Sequence, residues 1–263
     1  MILLEPPRTP WDLRWKMLRV PVRVHPFFWL TALLLSYDKH VLFALVLLEI
    51  VCIFVSILVH EFGHALSQRY YGDRETYIVL YHFGGLAVGS HSPRGLWPKV
   101  AILLWGPGAG FVLGGVAYAV GAVLYDPAFA FGRWASADYL YVVLRVLVWI
   151  NLAWGVMNLL PVFPLDGGQI MREVILIKRP NKGDPFAFQI SCYVALLVTV
   201  LALVRMVLWP SGDLGSDLLP VVLFGVLAWQ SHNLRQQLGQ MGSLGDREPR
   251  REAWEQDPDW WKK

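Results

Sequence analysis

Apolar residues in this chain come in long runs separated by charged joints. Six stretches, about 26–37, 41–69, 98–124, 139–160, 186–209 and 217–236, are dense in Leu, Val, Ile, Ala, Phe and Trp. A helix of about 20 such residues spans the hydrocarbon core of a bilayer. The pattern therefore predicts an all-α polytopic membrane protein with about six transmembrane helices. The first run is short for a full span and predicts a tilted or partly re-entrant segment. Residues 74–92 have a different texture, a β-branched and aromatic run, then Gly84-Gly85, then a second apolar run. That order predicts a small membrane-associated β-hairpin or sheet.

Composition points the same way. Of 263 residues, 56% are hydrophobic and 16% charged, with a mean hydropathy of +0.44; an ordinary soluble domain carries about 25% charged residues. Too little polar chain remains for a second globular domain. Residues 1–25 hold Arg8, Arg14, Lys16, Arg19 and Arg23 without the apolar core and small-residue site of a cleavable leader. They read as a basic arm on the membrane surface. Residues 26–236 form the transmembrane domain, and 237–263 a flexible cytoplasmic tail whose Trp254, Trp260 and Trp261 suit a membrane interface.

The net charge of +3 says little, but its distribution orients the chain. Nineteen of the 23 lysines and arginines fall on one side of the predicted spans; Lys39 and Arg133 fall on the other, and Arg145 and Arg205 lie within spans. The positive-inside rule makes the majority side cytoplasmic, with both termini on it. Glu49, Arg145 and Arg205 lie in the outer halves of their spans, where isolated charge is costly. Glu49 is expected to pair with one of the two arginines inside the bundle. Cys52 and Cys192 lack ligand or redox spacing and read as free buried thiols.

The candidate chemistry begins in the second run, with His60-Glu61-Phe62-Gly63-His64. Histidines at i and i+4 share one helix face and can ligate one Zn²⁺, and the intervening glutamate is placed to serve as a general base. A catalytic zinc usually has three protein ligands, so one is missing. Glu49 is eleven residues away, roughly 16 Å along a helix at 1.5 Å per residue. That is too far. Asp166, at the end of the fourth run, lies on the same side as the histidine pair. Pro161 and Pro164 stop the preceding helix, and Gly167-Gly168 lets the backbone turn so that the carboxylate approaches a metal.

With His60-Glu61-x-x-His64 on one run and Asn158-x-x-Pro161-x-x-Pro164-Leu165-Asp166-Gly167 on a later one, the chain resembles the site-2 proteases, which are intramembrane zinc metalloproteases. The likeness covers about residues 20–180. It implies one catalytic Zn²⁺ held by His60, His64 and Asp166, with Glu61 as general base and proton donor. It also implies that Asn158 positions substrate or the developing oxyanion. Gly84 and Gly85 would belong to an element that holds an extended substrate; a substrate helix must unwind before it is cut, and that element and the breaks at Pro161 and Pro164 are the places expected for it. Gly110 stands where the family's G-P-x-x-N element has asparagine. No PDZ-type insertion or nucleotide-sensing domain fits the length.

The function implied is an endopeptidase that cleaves transmembrane segments of membrane proteins, as in regulated intramembrane proteolysis. The alternative is an inactive homologue acting as a membrane scaffold or substrate-binding module. The partners expected are a transmembrane protein substrate and the lipid bilayer, with no nucleic acid. A prokaryotic plasma membrane is the location that a compact six-span chain suggests.

Overall fold

The computed structural model describes residues 6–36, 43–82, 84–91, 93–132, 138–179, 183–210 and 214–245. Lys39, Arg133, Lys182 and the tryptophans of the tail lie outside these residues. In chain order the elements are β1 (Leu13–Met17), β2 (Val20–Val24), α1 (Pro26–Ser36), α2 (Phe43–Tyr70), β3 (Tyr77–Tyr81), β4 (Gly84–Val88), α3 (Leu96–Leu124), α4 (Tyr139–Asn158), α5 (Asp166–Lys178), α6 (Gly183–Leu208) and α7 (Leu214–Gly245). The molecule is mostly helical, with one small sheet.

Among the described residues, four helices, α2, α3, α4 and α6, are long and apolar enough to cross a membrane. Two of the six expected spans fall outside that set. Helix α1 has only 11 residues, and α7 mixes its apolar residues with Asp217, Gln230, His232, Asn233 and Arg235. It also runs nine residues past the expected end at 236, into the stretch read as tail. On α6, Leu197, Val200, Leu201 and Val207 are each more than half exposed. A continuous apolar face of that kind is stable only against lipid or a partner.

Helix α2 is the centre of the bundle and packs against α1, α3, α4 and the sheet. Its core contacts repeat at helical spacing: Ile53, Ile57, Leu58, Phe62 and Ala65 meet Phe28 and Ala32 of α1 and Val20, Val22, Val24, Ile78 and Leu80 of the strands. The strand residues that meet α2 alternate, as those on one face of a sheet must, and Arg23 and Val79 between them are buried as well. Deeper in the bundle, Asn151 of α4 donates to Ser56 Oγ of α2 at 2.9 Å, one turn before His60. Asn151 thus ties α4 to α2 through an interhelical hydrogen bond.

The sheet is larger than the expected hairpin. Its order is β1-β2-β3-β4, with β1–β2 and β3–β4 antiparallel and β2–β3 parallel in the register Val22↔Ile78, Arg23↔Val79, Val24↔Leu80. The segment read as a surface arm thus supplies half of the strands. Gly84 and Gly85 open β4 and do not form the turn. The β1–β2 turn is made by Leu18 and Arg19, both at positive φ (51° and 65°), a geometry usually given to Asn or Gly. Arg69 of α2 donates to the Arg19 carbonyl at 2.6 Å and pins that turn to the bundle.

The charges of the spans have these partners. Arg205 pairs with Asp217 of α7 at 2.9 Å. Arg145 donates to the carbonyls of Phe129 (2.9 Å) and Gly132 (2.7 Å) and to the Tyr141 hydroxyl (3.2 Å). Glu49 shares a cleft with Arg145, so of the two arginines it is Arg145 that lies near it. Arg145 still spends its terminal nitrogens on backbone carbonyls. A guanidinium, with five donors, is suited to a loop of orphan carbonyls. Cys52 and Cys192 are free.

Candidate metal centre

His60, Glu61 and His64 project from one face of α2 and are more than nine-tenths buried, as is Asp166 at the first position of α5. The His64 imidazole lies so close to α3 that a Cβ on Gly106 would overlap it. Asp166 arrives from the other side. Helix α4 ends at Asn158, the chain turns through residues 159–165, and α5 starts at Asp166. A Cβ at Gly167 would collide with the Leu159 carbonyl, so the glycine lets α5 begin directly against the end of α4. The turn is held by Ser191 Oγ of α6, which accepts from the Phe163 amide at 3.0 Å. Lys99–Glu173 at 2.8 Å and Arg172–Asp184 at 2.6 Å fix α5 to α3 and α6.

The three candidate ligand atoms form a nearly equilateral triangle. His60 Nε2 and His64 Nε2 are 3.2 Å apart, and each lies 3.3 Å from Asp166 Oδ2. Nitrogen and oxygen ligands about 2.0–2.2 Å from a tetrahedral zinc are separated by about 3.3–3.5 Å. The triangle has the dimensions of one face of that tetrahedron.

Proton accounting gives the same answer. His64 Nδ1 is 2.8 Å from the Ile102 carbonyl, which can only accept, so the proton sits on Nδ1. In the neutral ring Nε2 is then a lone pair. Asp166 Oδ2 is buried without a hydrogen-bond partner among the described residues. His60 Nε2 can carry one proton at most and so can satisfy only one of its two neighbours. A cation at the centre satisfies all three. The Ile102 carbonyl fixes the tautomer in the manner usual for metal-bound histidine.

Glu61 lies beside the triangle and against the sheet. Its carboxylate accepts from the backbone amide of Ala87 in β4, and a Cβ on Gly85 would overlap its side chain. Of the other expected site residues, Gly84 lies at φ 122° against the Trp154 ring. Asn158 is buried at the end of α4, and its Nδ2 donates to the Trp154 carbonyl at 2.9 Å. Pro161 and Pro164 shape the turn that delivers Asp166; the Pro164 carbonyl accepts from Gln169 at 2.9 Å. The structure therefore brings Gly85 to Glu61 and the three ligand candidates to one point, and keeps the two prolines in the backbone turn. The Ile102 carbonyl and Ser191 were missed in the sequence. A carbonyl is offered by every residue type, so no signal could have marked Ile102.

Residues 126–202, which contain the Asn158–Asp166 segment, match the model of peptidase family M50. That match covers under a third of the chain and marks a likeness to the family. The chain is 29% identical over 195 residues to Zinc metalloprotease MJ0392 of Methanocaldococcus jannaschii, covering 73% of this chain and 53% of that protein. It is 27% identical over 162 residues to Stage IV sporulation protein FB of Bacillus subtilis, covering 60% and 49%. The chain spans about half the length of those two relatives. Among solved structures it shares a fold with Site-2 Protease from Methanocaldococcus jannaschii, with a TM-score of 0.56 at 24% identity, covering 86% of this chain and 95% of that one.

Proposed function

We propose that this chain is a member of peptidase family M50 and an intramembrane zinc endopeptidase that hydrolyses peptide bonds in or beside the transmembrane segments of other membrane proteins. The observation that carries the reading is the buried His60–His64–Asp166 triangle, whose donor atoms lie within 4.8 Å of one another and whose spacing suits zinc. Two histidines and a carboxylate are a borderline set that zinc accepts well. Zinc, when bound, supplies a Lewis acid that polarises a carbonyl and acidifies water.

The chain's own residues divide the remaining work. Glu61 takes a proton from the attacking water and delivers it to the departing amine nitrogen, so the base of the first step is the acid of the second. Its bond from the Ala87 amide holds the carboxylate toward the site. A helical substrate hides its amides in hydrogen bonds and must unwind before it can react. Gly85 and the edge of β4 lie beside Glu61 and offer backbone groups to an extended segment, with Pro161 and Pro164 bordering the approach. Asn158 orients the substrate with the amide proton that Trp154 leaves unused.

The charge distribution supports both termini on the cytoplasmic side of a prokaryotic plasma membrane, with the site near that face and α1 and α7 completing a six-segment bundle. The strands β1 and β2 of the N-terminal segment are built into the catalytic domain, and the domain acts in regulated intramembrane proteolysis. The test is a zinc-loaded Glu61→Gln variant in proteoliposomes with a single-span test protein. Cleavage should fall by about 1,000-fold, within the range for loss of a general base, at unchanged zinc content. Undiminished cleavage overturns the reading.

A further inference from the structure

Gln68 lies two helical turns beyond Glu61 on α2, on the same face, and both side chains reach the same residue of β4. The Ala87 amide donates to the Glu61 carboxylate, and Gln68 Nε2 donates to the Ala87 carbonyl at 3.3 Å. Both backbone groups of Ala87 therefore point away from β3 and are held by the helix that carries the metal site. Backbone direction alternates along a strand. Gly85, two residues earlier, turns its amide and carbonyl the same way, beside Glu61. An extended substrate that adds to this edge pairs at Gly85, because Ala87 is already taken.

The geometry around Gln68 is locked. The Ala87 carbonyl can only accept, so Nε2 must face it, and Oε1 is turned toward Gly89. There Oε1 is buried without a hydrogen-bond partner among the described residues, 3.2 Å from where a Cβ on Gly89 would sit. The end of β4 is fixed independently. Asp73 accepts from the Ser90 hydroxyl at 3.0 Å, the His91 amide at 2.9 Å and the Glu75 amide at 3.1 Å. A slide of β4 by one residue would move its edge about 3.3 Å and turn alternate backbone groups away from the site.

We propose that Gln68 is a positioning residue that sets the register between an extended substrate on β4 and Glu61, and so selects which peptide bond is cut. The inference rests on the hydrolytic reading above. Its signature is the position of the cut, which loss of folded enzyme would not move. Gln68→Glu keeps the shape but presents an acceptor to the Ala87 carbonyl, and Gln68→Met keeps the length without a donor.

The single-span test protein is incubated with zinc-loaded wild type, both variants and Glu61→Gln, and the fragment termini are mapped by mass spectrometry. In both Gln68 variants the ratio of the principal cut to cuts at neighbouring bonds should fall at least about fivefold, as expected for a slipped register. Zinc content should be unchanged. Hydrogen exchange at the amides of Gly85–Gly89 should quicken in the same variants, a readout independent of activity. Unchanged termini and unchanged exchange, with cleavage still lost in Glu61→Gln, overturn this inference and leave the hydrolytic reading standing. Cleavage that survives in Glu61→Gln overturns both.

Discussion

Asp73 and Asp166 are both buried carboxylates, and their surroundings treat them in opposite ways. Asp73, just past the end of α2, accepts from two backbone amides and a hydroxyl. Asp166 presents Oδ2 to two imidazole nitrogens with no hydrogen bond to it. Arg145, elsewhere in the bundle, resembles Asp73, since its charge is met by carbonyls and a hydroxyl. Burying an ionised group is costly unless its partners are in place. The groups whose partners come from the chain itself hold the fold together. The one that lacks them marks where something from outside belongs.

This contrast can be broken experimentally, beginning with the largest effect. Asp166→Ala should reduce bound zinc from about one per chain to below about one tenth, because two histidines seldom hold a catalytic zinc alone. Elemental analysis of the purified protein reads this directly, and retention of a full equivalent would show that the triangle is not the site. Chelation followed by zinc should then change the stability of the wild type and not of Asp166→Ala. At a free zinc concentration 100 times its Kd, stabilisation is about 2.7 kcal/mol, visible as a rise in melting temperature.

Arg145→Met tests the opposite case. It removes the donors used by the Phe129 and Gly132 carbonyls and should cost about 2–4 kcal/mol in an unfolding titration. Activity per bound zinc should stay within about twofold of wild type, as expected for a residue with no part in the chemistry. A large loss of zinc-normalised activity would erase the distinction between the two kinds of buried charge.

The smallest effect belongs to Asp73. Burial pushes its carboxyl upward, but the bonds from the His91 amide, Ser90 and the Glu75 amide outweigh this and hold it below the ordinary value of 3.8. A depressed carboxyl contributes stability above its unfolded value and loses it as pH falls through its folded value. Asp73→Asn should therefore melt below wild type at neutral pH, and the gap should narrow as pH drops below about 4. A gap that is constant with pH would mean that the Asp73 charge contributes nothing.

The sequence disclosed the parts of the site that depend on short spacings. His60, Glu61 and His64 are set by helical periodicity, and the proline–glycine context of Asp166 announces a turn. The core of the bundle followed from apolar runs, although two of those runs, now α1 and α7, are not among the four described helices that length and composition mark as able to span. The N-terminal strands were hidden for a different reason. Leu13–Met17 and Val20–Val24 do alternate, but Leu18-Arg19 between them carries none of the residues that usually mark a two-residue turn. The pairing of β2 with β3 is parallel and distant in sequence, and no local signal encodes it. Helix α5 left faint marks, Asp166 in its first turn and Lys178 in its last, which favour a helix of that polarity.

The parallel pairing of β2 with β3 also dictates an order of assembly. Val22–Val24 cannot find Ile78–Leu80 until α1 and α2, which lie between them, have been made and placed in the bilayer. Distant pairings of this kind form late. The metal helix must therefore be seated before the sheet beside it can close. Under the proposed function, the nascent chain would hold its histidines in the membrane before it possessed the edge assigned to substrate, which would give an immature copy little capacity to cut its neighbours.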